Sequence, residues 1–287
     1  MTIAELRAGG EVDGVFACTR KDRLTAKNGA PYLAVELRDR TGAIPGRAFR
    51  DADFLAGQFE RGDLVTVKGR VERFRDALQV DLKTIRRAAD EAPDPAEFLP
   101  VAYRDMEELD GFLEHLGREV YDPDLRALLG LFLEDESFRE EFRRAPCTRS
   151  GHHAYLGGLL EHTVAVATLA FETCALHRKL NSDLLIAAAI LHDVGKIHEF
   201  ELGAEIGLSE AGAMVGHVAL GQRLVSERAG RLEGFPDAKL NAISHCILAH
   251  HGPDALPGRQ FRSPEALALY RLNALDAGVK GALEHGL

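Results

Sequence analysis

The chain has 287 residues and no tryptophan, and only 7% of it is aromatic. Its cores must therefore be built mostly from Leu, Val, Ile and Ala. Cysteine is scarce: Cys18, Cys147, Cys174 and Cys246 are the whole set, and none sits in a Cys-x-x-Cys pair. They read as reduced thiols in a reducing compartment. Long apolar runs are missing. The longest, 184–191, is far below the ~20 residues a membrane span needs. The opening MTIAELRAGG lacks a basic segment followed by an apolar one, so no signal peptide is expected and the cytoplasm is the expected location, with no membrane partner. No internal repeat, low-complexity tract, P-loop or Ser-His-Asp pattern is evident. Positive charge is also short, with 35 Lys and Arg against 45 Asp and Glu, a net of −10. Taken whole, this is not the charge of a nucleic-acid binder. The 46% apolar and 28% charged shares exclude a disordered chain, collagen or a heptad rod.

What is present is unevenly spread. Residues 1–90 carry a net +3, 91–150 a net −9 and 151–287 a net −4. A mildly basic N-terminal third in an acidic chain points to an anionic partner for that third alone. The length suggests two domains. Residues 1–90 read as five short strands, 12–19, 32–38, 43–49, 64–74 and 78–85. Turn signals at Asn28-Gly29, 39–42, Arg61-Gly62-Asp63 and Arg75-Asp76 separate them. A short helix over 51–59 falls between the third and fourth strands. That order suits a small oligonucleotide/oligosaccharide-binding (OB) barrel. Residues 91–104, acidic and proline-containing, read as a linker. From 105 to 287 apolar residues recur at helical spacing, over 106–119, 124–144, 156–177, 182–192, 216–229, 238–250 and 264–276, with Ser182 a plausible N-cap. The expected architecture is α+β and multidomain: a small N-terminal OB-like β-barrel followed by an all-α domain.

All twelve histidines lie in residues 115–285. His162 and His217 each interrupt an apolar helical stretch, and His192-Asp193 ends the apolar run LLIAAAIL. His250-His251 follow CILA and precede Gly252. A polar group in such a setting costs free energy unless it has a partner. A divalent cation would partner all of them, and Asp193 can bridge two ions. Any one of these residues alone is ordinary. The ordered set is not: a His, His-Asp thirty residues on, Gly-His, His-His-Gly, then a helix bearing a carboxylate.

The blocks HHAYLGGLLEHT, ILHDVGKIHEF, VGHVALG and HCILAHHG resemble the HD-domain superfamily of metal-dependent phosphohydrolases. Joined to an OB-like domain, they resemble the YhaM-type 3′→5′ exoribonucleases over nearly the whole chain. The resemblance implies a helical HD domain with its metal core at about 150–280. It also implies one or two divalent ions, commonly manganese, and removal of nucleotides from a 3′ end. It implies that His162, His192 and Asp193 hold the first ion, and that His217 and His250 hold a second across Asp193, with His251 an alternate. Lys196 would lie near the substrate phosphate, so Asp193 and Lys196 are the candidate catalytic pair. His152 and His153 match a family block without a fixed role. One departure stands out. In LYRLNALDAGV, Asn273 falls where a ligand Asp is expected, and Asp276, one turn on, is the candidate ligand in its place.

The expected chemistry is metal-assisted phosphodiester hydrolysis needing no protein nucleophile. In the barrel, the candidate stacking and phosphate-binding residues are Phe16, Tyr32, Phe49 and Phe74, with Arg47, Lys68, Arg70 and Arg73, and beside them Arg20 and Lys21. Strand aromatics are more often core, and about two of the four are expected to meet bases. The expected function is a 3′→5′ exonuclease on single-stranded RNA, with DNA open. The alternatives are an HD phosphohydrolase on nucleotides or cyclic dinucleotides, and a non-catalytic single-strand binder with a degenerate HD domain, which Asn273 favours. Apolar helices of this length also make a homo-oligomer a candidate assembly.

Overall fold

The computed structural model describes residues 1–26, 29–88 and 93–286. Asn28 of the first turn signal and residues 91 and 92 of the linker lie outside them. The backbone divides into two compact units, Met1–Pro100 with Leu202–Gly207, and Val101–Glu201 with Leu208–Leu287.

The first unit is a closed five-stranded barrel in the order β1-β2-β3-β5-β4. Its strands are β1 (Glu11–Thr25), β2 (Pro31–Asp39), β3 (Gly42–Ala48), β4 (Leu64–Phe74) and β5 (Ala77–Arg87), with the short helix α1 (Ala52–Ala56) between β3 and β4. Alternation sends Leu33, Val35 and Leu37 of β2 inward, where they meet Val65, Val67, Val71 and Val80. Two features let so small a barrel close. The β1–β2 register shifts between Cys18 and Arg20, and the β4–β5 register shifts between Lys68 and Gly69. At Gly69 a Cβ would lie 2.4 Å from the Asp81 carbonyl oxygen, so only glycine fits. Arg75 and Asp76, at φ 48° and 66°, form the two-residue turn joining β4 to β5.

The second unit is helical. It contains α2 (Met106–Arg118), α3 (Pro123–Leu133), α4 (Glu136–Arg144), α5 (Gly158–Leu176), α6 (Ser182–Leu191), α7 (Lys196–Glu199), α8 (Glu210–Val215), α9 (His217–Ala229), α10 (Asp237–Ala249) and α11 (Pro264–His285). Between α7 and α8 the expected run of helices is interrupted by a small hairpin, β6 (Phe200–Leu202) with β7 (Ile206–Leu208), whose residues Leu202–Gly207 belong to the first unit. The single helix expected over 124–144 is two. Asp135 accepts from the Phe138 amide at 3.2 Å and caps a new helix there. The cap of α6 is Asn181, which accepts from the Leu184 amide at 3.0 Å, rather than Ser182. The last helix runs nine residues past Asp276, to His285.

Helix α6 is buried on every side from Leu184 to Leu191 and packs against α5, α10 and α11. Each fully buried Leu or Ile contributes roughly 1.5–3 kcal/mol of transfer free energy, so this helix is the fixed centre of the unit. By length and composition α5 could cross a bilayer, but half of its most apolar window is packed inside the protein. His192 and Asp193 follow directly from the end of α6, which sets their position.

Candidate metal centre and barrel surface

Four imidazoles point their Nε2 atoms toward Asp193, and the reason is local in each case. His192 and His250 stand at the C-terminal ends of α6 and α10, where helix carbonyls lack partners. His192 Nδ1 donates to the Ala189 carbonyl at 2.8 Å, and His250 Nδ1 to the Ile247 carbonyl at 2.6 Å. His217 opens α9, and its Nδ1 donates to Glu199 Oε1 at 2.9 Å. His162, inside α5, donates from Nδ1 to Asp276 Oδ2 at 2.7 Å. Carbonyl and carboxylate oxygens only accept, so every Nδ1 carries a proton, and in the neutral imidazole that leaves Nε2 as the nitrogen with a lone pair.

These lone pairs converge. His162 Nε2 lies 3.3 Å from His192 Nε2, and His217 Nε2 lies 2.9 Å from His251 Nε2. Asp193 Oδ2 is 3.5 Å from His162 Nε2 and 3.3 Å from His192 Nε2. Asp193 Oδ1 is 3.5 Å from His217 Nε2 and 3.4 Å from His250 Nε2. Asp193 Oδ1 and His250 Nε2 are buried and have no hydrogen-bond partner. Facing lone pairs and an orphaned buried carboxylate oxygen are costly unless a cation joins them. Asp193, His217, His250 and His251 form one set of donors within 4.8 Å of one another, and His162, His192 and Asp193 form another. The donor chemistry, imidazole nitrogen with carboxylate oxygen, suits a divalent transition ion.

Gly195 makes this approach possible. A Cβ there would fall 2.1 Å from the His217 carbonyl oxygen and 2.3 Å from the Gly221 nitrogen. Its absence lets the Asp193 segment pack on the first turn of α9, whose first residue is His217. Burial alone would raise the Asp193 pKa, but Lys196 and His192 beside it hold the carboxyl well below its usual range. Burial pushes His162 down to about 4 and His251 down to about 3, so both imidazoles are neutral at pH 7 and able to ligate. Lys196 Nζ donates to Asp193 Oδ2 at 2.6 Å and to Cys147 Sγ at 3.3 Å. Burial pushes the Cys147 thiol up to about 12. A cleft of about 470 Å³, lined by Lys196, His217, His250, His251, His152 and Asn273, opens onto the group.

The expected ligands His162, His192, Asp193, His217, His250 and His251 are thus brought together. Asp276 lies on the Nδ1 side of His162, where His153 Nε2 also reaches it at 3.1 Å, and these three form a further donor group. Asn273 is buried, and its Nδ2 donates to the His250 carbonyl at 3.2 Å. Several supporting residues were not singled out from sequence. Glu199 holds His217. Tyr155 bridges His153 Nδ1 and Glu161 Oε2, each at 2.8 Å, and Lys280 binds Glu161 Oε1 at 2.8 Å. Their signal was a carboxylate inside an apolar block: Glu161 directly precedes His162, and Glu199 ends HDVGKIHE.

On the barrel, Phe16 is 1% exposed and sits in the core, so it is not a base contact. The other three aromatics cluster on the outside. Tyr32 and Phe49 stack at 5.2 Å, and the Arg47 guanidinium lies 5.8 Å from Tyr32 and 5.4 Å from Phe74. Phe49 is 54% and Phe74 46% exposed. Arg70 and Arg73 are exposed on β4. Lys68, also on β4, pairs with Asp13 at 2.9 Å. Arg20 pairs with Asp22, and Lys21 lies over the Phe59 ring.

Residues 159–278 match the family model of the HD domain, and residues 10–88 match that of an OB-fold nucleic acid binding domain. The chain thus joins an OB-fold domain to an HD domain, and the HD domain supports a metal-dependent hydrolase. Over 96% of its length it is similar to proteins named 3′-5′ exoribonuclease YhaM. Identity is 28% to that of Oceanobacillus iheyensis (86% of its length), 26% to that of a Geobacillus species (85%) and 25% to that of Listeria monocytogenes (88%).

Proposed function

We propose that this protein is a metal-dependent 3′→5′ exonuclease acting on single-stranded RNA, with manganese as the resident ion. The observation that carries the chemistry is the convergence of Nε2 lone pairs on Asp193, with Oδ1 and His250 Nε2 left without partners. The ligands we assign are His162, His192, Asp193, His217, His250 and His251. Divalent cations held there supply Lewis acidity, which lowers the pKa of water and offsets phosphodiester charge. The chain's own groups do the rest. Lys196 presents a buried ammonium at the cleft and is placed to meet a phosphate oxygen as charge develops. Asp276 and Glu199 fix the orientation of His162 and His217. A cleft of about 470 Å³ is in the size range of small-ligand sites and suits one nucleotide at a strand end.

The polymer is argued from the barrel. Half-buried Tyr32 with exposed Phe49 and Phe74 around Arg47 forms a stacking platform with a cation at its centre, which suits single strands of any sequence. That platform favours a strand over a mononucleotide or cyclic dinucleotide. The similarity to proteins named 3′-5′ exoribonuclease YhaM supports the same polarity and substrate. The test is a 5′-labelled single-stranded oligoribonucleotide incubated with chelator-stripped protein. A ladder shortening from the 3′ end, returning on addition of Mn²⁺ and absent without it, is the expected result. Degradation that persists in chelator, or cuts within the strand, would refute the reading.

A further inference from the structure

The two oxygens of Asp193 keep different company. Oδ1 accepts no hydrogen bond, and His250 Nε2, 3.4 Å away, has no hydrogen-bond partner. With His217 Nε2 at 3.5 Å from Oδ1 and His251 within 4.8 Å of the rest, four donors surround that side. Oδ2 groups with His162 and His192, and His162 groups in turn with His152 and with Cys147, whose Sγ meets Lys196 Nζ at 3.3 Å. Oδ2 is also occupied. Lys196 Nζ donates to it at 2.6 Å.

Nothing nearby on α11 restores the balance. Asn273 is uncharged and engaged with the His250 carbonyl. Asp276 is taken up by His162 Nδ1 and His153 Nε2. A divalent ion on the Oδ2 side therefore meets an ammonium already seated on the oxygen it needs, which the Oδ1 side lacks.

We propose that the centre binds two cations unequally: tightly at Asp193 Oδ1 with His217, His250 and His251, and weakly at Asp193 Oδ2 with His162 and His192, where Lys196 competes for the oxygen. This rests on the metal-centre reading above. It gives Lys196 a second role as a gate on the weaker position. A phosphate entering the cleft offers the ammonium another anion, so substrate and second cation favour each other's binding.

The test is a Mn²⁺ titration of the stripped full-length protein, followed by calorimetry and by the paramagnetic signal of free Mn²⁺. One tight equivalent and a second at least about tenfold weaker are expected. His251→Ala should abolish the tight equivalent, while His162→Ala should abolish only the weak one. Lys196→Met, nearly isosteric, should tighten the second equivalent, a gain that misfolding cannot produce. Two equal equivalents in the unaltered protein, or an unchanged gap in Lys196→Met, would overturn the proposal. If no ion binds at all, the metal-centre reading itself fails. If two bind equally while RNA is degraded, that reading stands and only the inequality is lost.

Discussion

The barrel and the helical unit keep their functional residues in opposite places. In the barrel, Phe49, Phe74 and Arg47 lie on the outside of a core completed by other residues, so the surface can change without touching the fold. In the helical unit, His162, His192, Asp193 and His250 are each at most 1% exposed and belong to the interior itself. There, the groups that would bind cations are also groups whose burial must be compensated. A surface site puts affinity at risk when altered; a core site puts affinity and folding at risk together.

That contrast is open to direct attack. The largest effect is expected from Asp193→Ala. Metal content should fall to background, and nuclease activity should fall by roughly 10³-fold or more, the scale of losing a principal electrostatic group. Binding of a single-stranded oligonucleotide by the barrel should persist, as measured by fluorescence anisotropy. Loss of both together would erase the distinction between the units.

Next comes Asp276→Asn, which weakens the hold on His162 Nδ1 and the contact to His153 Nε2 while leaving the donors around Asp193 in place. Metal affinity should drop about 10- to 100-fold, read by titration. An unchanged affinity would show that His162 needs no help from behind. On the barrel, Phe49→Ala or Phe74→Ala should weaken oligonucleotide binding by about 1–3 kcal/mol per stacked base. Metal content and the melting temperature should stay as they were. A drop in melting temperature on the scale of a core truncation would place these rings in the fold rather than on a surface.

The smallest effect is a pH dependence confined to one unit. Burial lowers His162 to about 4 from an ordinary value of 6.5, so the fold favours its neutral form. Its stabilising contribution is complete above pH 6.5 and is lost as pH falls toward 4. In chelator, calorimetry from pH 7 to pH 5 should show the helical unit melting progressively earlier. The barrel contains no histidine and should hold steady over that window. Parallel shifts in both transitions would mean that the two units do not respond independently.

Much of this was legible in the chain, and the gaps are specific. Period-two alternation gave the barrel strands, because one face of each is buried. It did not separate Phe16 from Phe49. Both are aromatics in strand-like stretches, and which one faces inward depends on barrel closure and on the shift between Cys18 and Arg20. The run 184–191 marked α6 as buried, and His-Asp at its end marked the centre. Asp276 was read as a candidate ligand one turn after Asn273, and the fold sets it against His162 Nδ1, a contact that spacing along α11 does not foretell. The break at Asp135 was missed because apolar periodicity continues across it, while the cap that restarts the helix is a single hydrogen bond.

By itself, the sequence determined two domains, a barrel followed by helices, and a set of imidazoles and one carboxylate destined for a common centre. Periodicity and residue chemistry are local properties, and they carry that much. Only the tertiary structure decided which nitrogen of each imidazole is free, which oxygen of Asp193 Lys196 occupies, and which aromatics remain outside. Those outcomes depend on atoms distant in the chain coming within about 3 Å of each other, the range over which hydrogen bonds act.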